Sequence, residues 1–174
     1  MRNTWLSFTL DKKDKAIMFS INRTFDIEKI RVDQDNHIHM TTVFFGKKLK
    51  GLSKNRLTEI NNILKTIILK YSNSNMTLEF DKFSMFPPNK SNLVVALYKP
   101  NINITNMVMD IKNNIVEASD MINGYTPHIT IGKIINGSII NLDTIQKYPN
   151  LNIKKIEWSG DAIKSMDNEY VIHP

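Results

Sequence analysis

The chain contains no cysteine. Disulfides, thiolate nucleophiles and cysteine-ligated zinc are therefore excluded by inventory, and a reducing, cytoplasmic compartment fits. No apolar run approaches the ~18 residues a membrane helix needs. The opening "WLSFTL" is short and followed by the charged "DKKDK" where a secretory leader would have a small-residue cleavage site, so Met1 is expected to start the mature chain. There is no low-complexity linker and no short-period repeat. Arginine is scarce, with four against 19 lysines, and the net charge of +6 favours an anionic partner over a cationic one. A solvated lysine surface accounts for such a charge equally well.

At 174 residues, 41% of them hydrophobic and 23% charged, the chain has the length and composition of a single globular domain over residues 1–174. Asparagine, isoleucine and lysine contribute 21, 25 and 19 residues, all with AT-rich codons, so part of the composition reflects the source genome.

The hydrophobic pattern predicts alternating elements. "TWLSFTL" and residues 37–45 read as strands, and the interval between them carries no clear signal. Leu57, Ile60, Ile63, Leu64, Ile67 and Ile68 recur at helical spacing after Ser53, a good N-cap, which predicts a helix over 54–70. "MTLEFDKFSMF" and "NLVVALYK" predict a hairpin around "PPNKSN". Ile104, Met107, Val108, Ile111, Ile115 and Ala118 predict a second helix over 104–119. "TPHITIGKI" follows as a strand, then a short helix near 142–148, and "NIKKIEWSG" and "EYVIHP" close the chain as strands around "MDN". This order predicts an α+β fold of two similar halves, each setting a histidine strand beside a sheet and a helix.

The histidine strands carry the chemistry. "HIHMTTVFFG" begins at His37, and "PHITIGK" repeats its H-x-T pattern, His128 following His39 by 89 residues. Side chains alternate along a strand, so His39 shares a face with Thr41, and His128 with Thr130. Side by side, the strands would present two imidazoles and two hydroxyls to a space of phosphate size. Two histidines can hold opposite protonation states near neutral pH, one as base and one as acid. The hydroxyls would donate to non-bridging phosphate oxygens. A lone histidine on an apolar strand is more often structural. The duplication of H-x-T in opposite halves, in a chain with only four histidines, changes that balance. His37 and His39 could also be metal ligands together, but no carboxylate pattern completes such a site.

"HMTTVFFG" and "PHITIGK" resemble the two motifs of the two-histidine (2H) phosphoesterase superfamily, which includes 2'-5' RNA ligase-like proteins and cyclic phosphodiesterases. The spacing from His39 to Gly46 follows that pattern and leaves His37 as a rim residue. The resemblance implies a two-lobed, pseudo-twofold fold whose antiparallel sheets form a central groove with helices outside. It implies His39 and His128 as the acid/base pair, Thr41 and Thr130 as phosphate-oxygen donors, no cofactor, and a nucleotide substrate. It also implies a basic residue five positions after the second histidine, where Lys133 stands; strict alternation points that side chain away from His128 unless a bulge at Gly132 restores it. Trp5, Phe8, Phe86 and Tyr125 are candidate platforms for a base.

The resemblance, with the AT-rich composition, points to a viral member cleaving a 2'-5'-linked messenger of host antiviral signalling in the host cytoplasm. The messenger would be 2',3'-cyclic GMP-AMP or 2'-5' oligoadenylate, with no membrane and no obligate protein partner. The alternatives are a 2',3'-cyclic phosphodiesterase of RNA-end processing and a basic RNA-binding protein without catalysis.

Overall fold

A computed structural model describes residues 3–32, 38–86, 92–118, 124–135, 137–160, 166–167 and 169–172. His37, the turn around Pro87 and Asn168 of the "MDN" segment lie outside them.

Two four-stranded antiparallel sheets organise the chain. The first is built from β1 (Thr4–Phe8), β3 (Met40–Gly46), β9 (Lys155–Gly160) and β10 (Glu169–Val171), in the order β10-β9-β1-β3. The second has the order β2-β7-β6-β5, from β2 (Ile30–Val32), β5 (Phe80–Phe86), β6 (Leu93–Tyr98) and β7 (His128–Ile134). A two-stranded ribbon, β4 (Thr77–Leu78) with β8 (Leu151–Asn152), stands apart. The helices are α1 (Lys12–Asn22), α2 (Lys54–Lys70) and α3 (Ile102–Asn114).

The two long helices form where periodicity places them. Ser53 caps α2, its Oγ accepting from the Arg56 amide at 3.2 Å, and Leu57, Ile60, Leu64, Ile67 and Ile68 are buried. Asn101 caps α3, its Oδ1 accepting from the Asn103 and Ile104 amides at 2.9 and 3.2 Å. The predicted extension of α3 to residue 119 is corrected, because the helix ends at Asn114. Ile115 and Ala118 are still buried, on the irregular segment that follows. Behind the helices Arg56 forms a two-pronged pair with Glu117, Nε to Oε1 at 2.9 Å and Nη2 to Oε2 at 2.8 Å.

Other expectations fail for identifiable reasons. Residues 142–148 form turns, not a helix. Their apolar positions Leu142 and Ile145 pack on the core beside Tyr148, whose hydroxyl bonds Asn22 of α1. The two lobes are also not successive halves of the chain, since β2 from the N-terminal part joins the second sheet and β9 and β10 from the C-terminal part join the first. A Cβ at Gly132 would stand 2.3 Å from the Arg31 carbonyl oxygen, so only glycine on β7 lets β2 dock there.

Candidate active site

Each H-x-T motif lies on an alternating surface. Ile38, Met40, Ile129 and Ile131 are buried, while His39, Thr41, His128 and Thr130 between them are partly exposed. The apolar residues thus anchor each strand in the core and turn the histidine and threonine to the opposite face.

That face extends across both sheets, because antiparallel cross-strand partners share a side. On the first sheet Thr41 is opposite Ser7, and Trp5 is opposite Phe44. Glu157 and Ser159 continue the row on β9, with the Ser159 and Ser7 hydroxyls 3.0 Å apart. On the second sheet His128 is opposite Leu97, Thr130 opposite Val95, and Lys133 opposite Leu93. Ser84 and Phe86 of β5 lie on the same side, opposite Val95 and Leu93.

Both strands break register at the equivalent residue. Between Ser7 and Leu6 the partner strand passes from Thr41 to Val43, so Thr42 is an extra residue; between Val95 and Val94 it passes from Thr130 to Gly132, so Ile131 is extra. A bulge thus follows each threonine. It shifts the alternation, so that position five after the histidine returns to the histidine's face: Lys133 on β7 and Phe44 on β3. A bulge does return Lys133 to that face, with Ile131 and not Gly132 as the inserted residue.

The two strands lie against each other, and Tyr125 ties them. Its hydroxyl donates to the Thr41 carbonyl at 3.1 Å, from the segment that leads into β7. Burial pushes the phenol far above its ordinary range, which keeps it a donor at any physiological pH. Tyr125 is 9% exposed, so it acts as a strut between the motifs and is withdrawn as a base platform. Phe8 is withdrawn as well. It is 1% exposed in the hydrophobic core and cannot stack on a ligand.

The remaining aromatics pack against the histidines. The Phe86 ring stacks on His128 with centroids 4.8 Å apart and planes at 27°, and Trp5 lies 5.4 Å from His39 at 36°. An aromatic ring packed against an imidazole limits its rotation. His128 is also tethered through Nδ1, which lies 2.9 Å from the Thr126 carbonyl oxygen. A carbonyl only accepts, so Nδ1 carries a proton and Nε2 is left as the exchanging nitrogen. Phe44 is the residue that sequence reasoning missed. It is 38% exposed on the groove face beside Trp5, and its signal was the five-residue offset from His39 that Lys133 has from His128.

Among the described residues no group of three or more histidine and carboxylate side chains could hold a metal ion. A cavity of about 830 Å³ lies elsewhere, between α2 and α3, and is lined by residues such as Thr58, Ile63, Thr66 and Asp110. Its titratable lining residues are engaged in ion pairs, Lys70 with Asp110 at 2.7 Å and Glu59 with Arg56 at 2.7 Å, and it holds no histidine. No helix among the described residues is long and apolar enough to cross a membrane.

The sequence matches no family model and no curated protein. The architecture does recur in solved structures. E. coli LigT complexed with phosphate superimposes with a TM-score of 0.69 at 11% identity, covering 99% of this chain and 98% of that one. LigT complexed with 3'-AMP gives 0.64 at 13% identity, over 98% and 96%. A solved phosphoesterase gives 0.66 at 12% identity over the full length of both chains. Two antiparallel sheets, three helices and these matches together give the chain an α+β fold like that of LigT.

Proposed function

We propose that the protein is a phosphodiesterase that breaks 2'-5' phosphodiester links of a nucleotide messenger, using His39 and His128 as its acid/base pair. One observation carries this reading: the two H-x-T strands lie side by side, tied by the Tyr125–Thr41 hydrogen bond, with both histidines and both threonines on the face away from the core. Two imidazoles supply both proton transfers, so the mechanism calls for no Lewis acid.

In the step this implies, the free 3'-hydroxyl beside a 2'-5' link attacks phosphorus. One imidazole takes the hydroxyl proton as the O3'–P bond forms. The other, protonated, gives its proton to O5' as the P–O5' bond breaks, leaving a 2',3'-cyclic phosphate and a free 5'-hydroxyl. Thr41 and Thr130 would donate to the non-bridging oxygens, whose charge rises in the transition state. A 3'-5' link in the same pose puts a different hydroxyl in line, which gives linkage selectivity by geometry. Within this class we favour 2',3'-cyclic GMP-AMP over 2'-5' oligoadenylate. Destroying either would blunt host antiviral signalling.

The test is incubation of the purified protein in EDTA with 2'-5'- and 3'-5'-linked di- and oligonucleotides and nucleoside 2',3'-cyclic phosphates, beside His39→Ala and His128→Ala. Cleavage confined to 2'-5' links and abolished in both variants is expected. Consumption of the cyclic phosphates alone would move the enzyme to RNA-end processing. Binding without turnover, falling steeply with salt, would make it an RNA-binding protein.

A further inference from the structure

We infer that Arg31 and Lys133 form a second anion subsite, which takes a phosphate group of the ligand other than the one between the histidines. The inference rests on the proposed function for its substrate class, namely a nucleotide with at least two phosphates in place of a nucleoside monophosphate.

Three observations converge on it. Arg31 of β2 and Lys133 of β7 are direct cross-strand partners, so their side chains rise from the same face. Like charges placed opposite one another oppose strand pairing, and among the described residues neither cation has a carboxylate in salt-bridge range. Both are exposed, and together with Ile134 and Ile135 they line a cavity of about 200 Å³. A bound anion would relieve the repulsion, with the guanidinium offering a fork and the ammonium a point charge.

The third observation fixes the position. The bulge at Ile131 puts Lys133 on the face of His128 and Thr130, and on β6 their partners Val95 and Leu93 are two residues apart. The cationic pair therefore lies roughly 7 Å along the sheet from Thr130, at ~3.4 Å per residue. One nucleotide unit can bridge that span. Arg31 reaches the site only because β2 crosses from the other lobe and Gly132 admits its backbone.

The test is equilibrium binding, by calorimetry, of adenosine 3',5'-bisphosphate and of 3'-AMP to the wild-type protein and to Arg31→Gln, Arg31→Lys and Lys29→Gln. Lys29 is an exposed lysine that pairs with Asp26, so its loss changes net charge equally without touching the cavity. The wild type is expected to hold the bisphosphate about tenfold or more tighter than the monophosphate. That ratio should fall towards one in Arg31→Gln, recover in part in Arg31→Lys, and persist in Lys29→Gln. A wild-type ratio near one, or equal weakening of both ligands in Arg31→Gln, overturns the subsite. Binding is read without turnover, so a protein that cleaves nothing yet keeps the Arg31-dependent ratio loses the proposed function and retains the subsite. Linkage-specific cleavage with a ratio of one does the reverse.

Discussion

The two histidine strands repeat a local design inside unequal surroundings. Among the described residues β3 is an edge strand paired with β1 alone, while β7 is flanked on both sides by β2 and β6. Both bulge after the threonine and both bring position five back to the groove. On β3 that position is Phe44, opposite Trp5, and the face continues through Ser7 to Ser159 and Glu157. On β7 it is Lys133, opposite Arg31. At the fifth position one strand therefore offers an aromatic ring and the other a positive charge. The duplicated part is what acid/base chemistry on a phosphate requires. The part that diverges is what a nucleotide requires, since its base and its phosphates call for different partners.

Replacing the histidines is the harshest way to break the symmetry. His39→Ala and His128→Ala are each expected to lower kcat by ~10²–10⁴-fold, with the double variant far short of the product, because in the proposed mechanism the two groups act in one proton-transfer scheme. Single-turnover kinetics on a 2'-5' dinucleotide would read this. Equal losses leave the strands equivalent, whereas a milder His39→Ala would make the tethered His128 the dominant member. The threonines come next. Thr41→Val and Thr130→Val should each cost ~10²-fold in kcat with little change in KM, as expected for donors that tighten only in the transition state.

The divergent positions should separate by ligand chemistry. Phe44→Ala is expected to raise KM several-fold, about 3–10-fold, in a way that depends on the base. Lys133→Gln should raise KM irrespective of the base and reduce the dependence of binding on salt. A base-dependent effect of Lys133→Gln would contradict the division between strands. Smaller still is the strut. Tyr125→Phe leaves the Thr41 carbonyl without its donor and is expected to cost about 1 kcal/mol in urea denaturation, with a larger effect on kcat than a surface substitution of equal cost.

Behind the sheets, the Arg56–Glu117 pair tests whether the helix layer matters to either lobe. Hydrogen bonds from Arg56 hold the Glu117 carboxyl below its ordinary range. Because the folded state favours the charged form, the stabilisation is complete above the ordinary value of ~4.3 and fades as pH falls through the lowered one. Glu117→Gln should therefore destabilise at pH 7 and approach the wild type in acid, with kcat unchanged throughout. Denaturation curves across that range would show it.

The origins of these features differ in range along the chain. α2 and α3 were legible because every third or fourth residue is apolar, and β1 was legible in part. Thr4–Phe8 alternates, so Trp5 and Phe8 must face opposite sides, and parity alone could have removed Phe8 from the list of platforms. α1 was not legible. Its sequence "KKDKAIMFSIN" buries only Met18, Ile21 and Asn22, too few to mark a stripe. β2 has three residues and carries no signal of its own.

The sequence by itself determined the repeated H-x-T, the side of each strand that the histidines and threonines share, and the two long helices. These follow from periods of 2 and 3.6 residues, which neighbours in the chain impose on one another. Only the tertiary structure decided that a bulge returns Lys133 and Phe44 to the groove, that Tyr125 binds one motif to the other, and that β2 crosses over to set Arg31 beside Lys133. Each of those depends on which strand lies next to which, and hydrogen-bond register between strands far apart in sequence is fixed by packing, not by local periodicity.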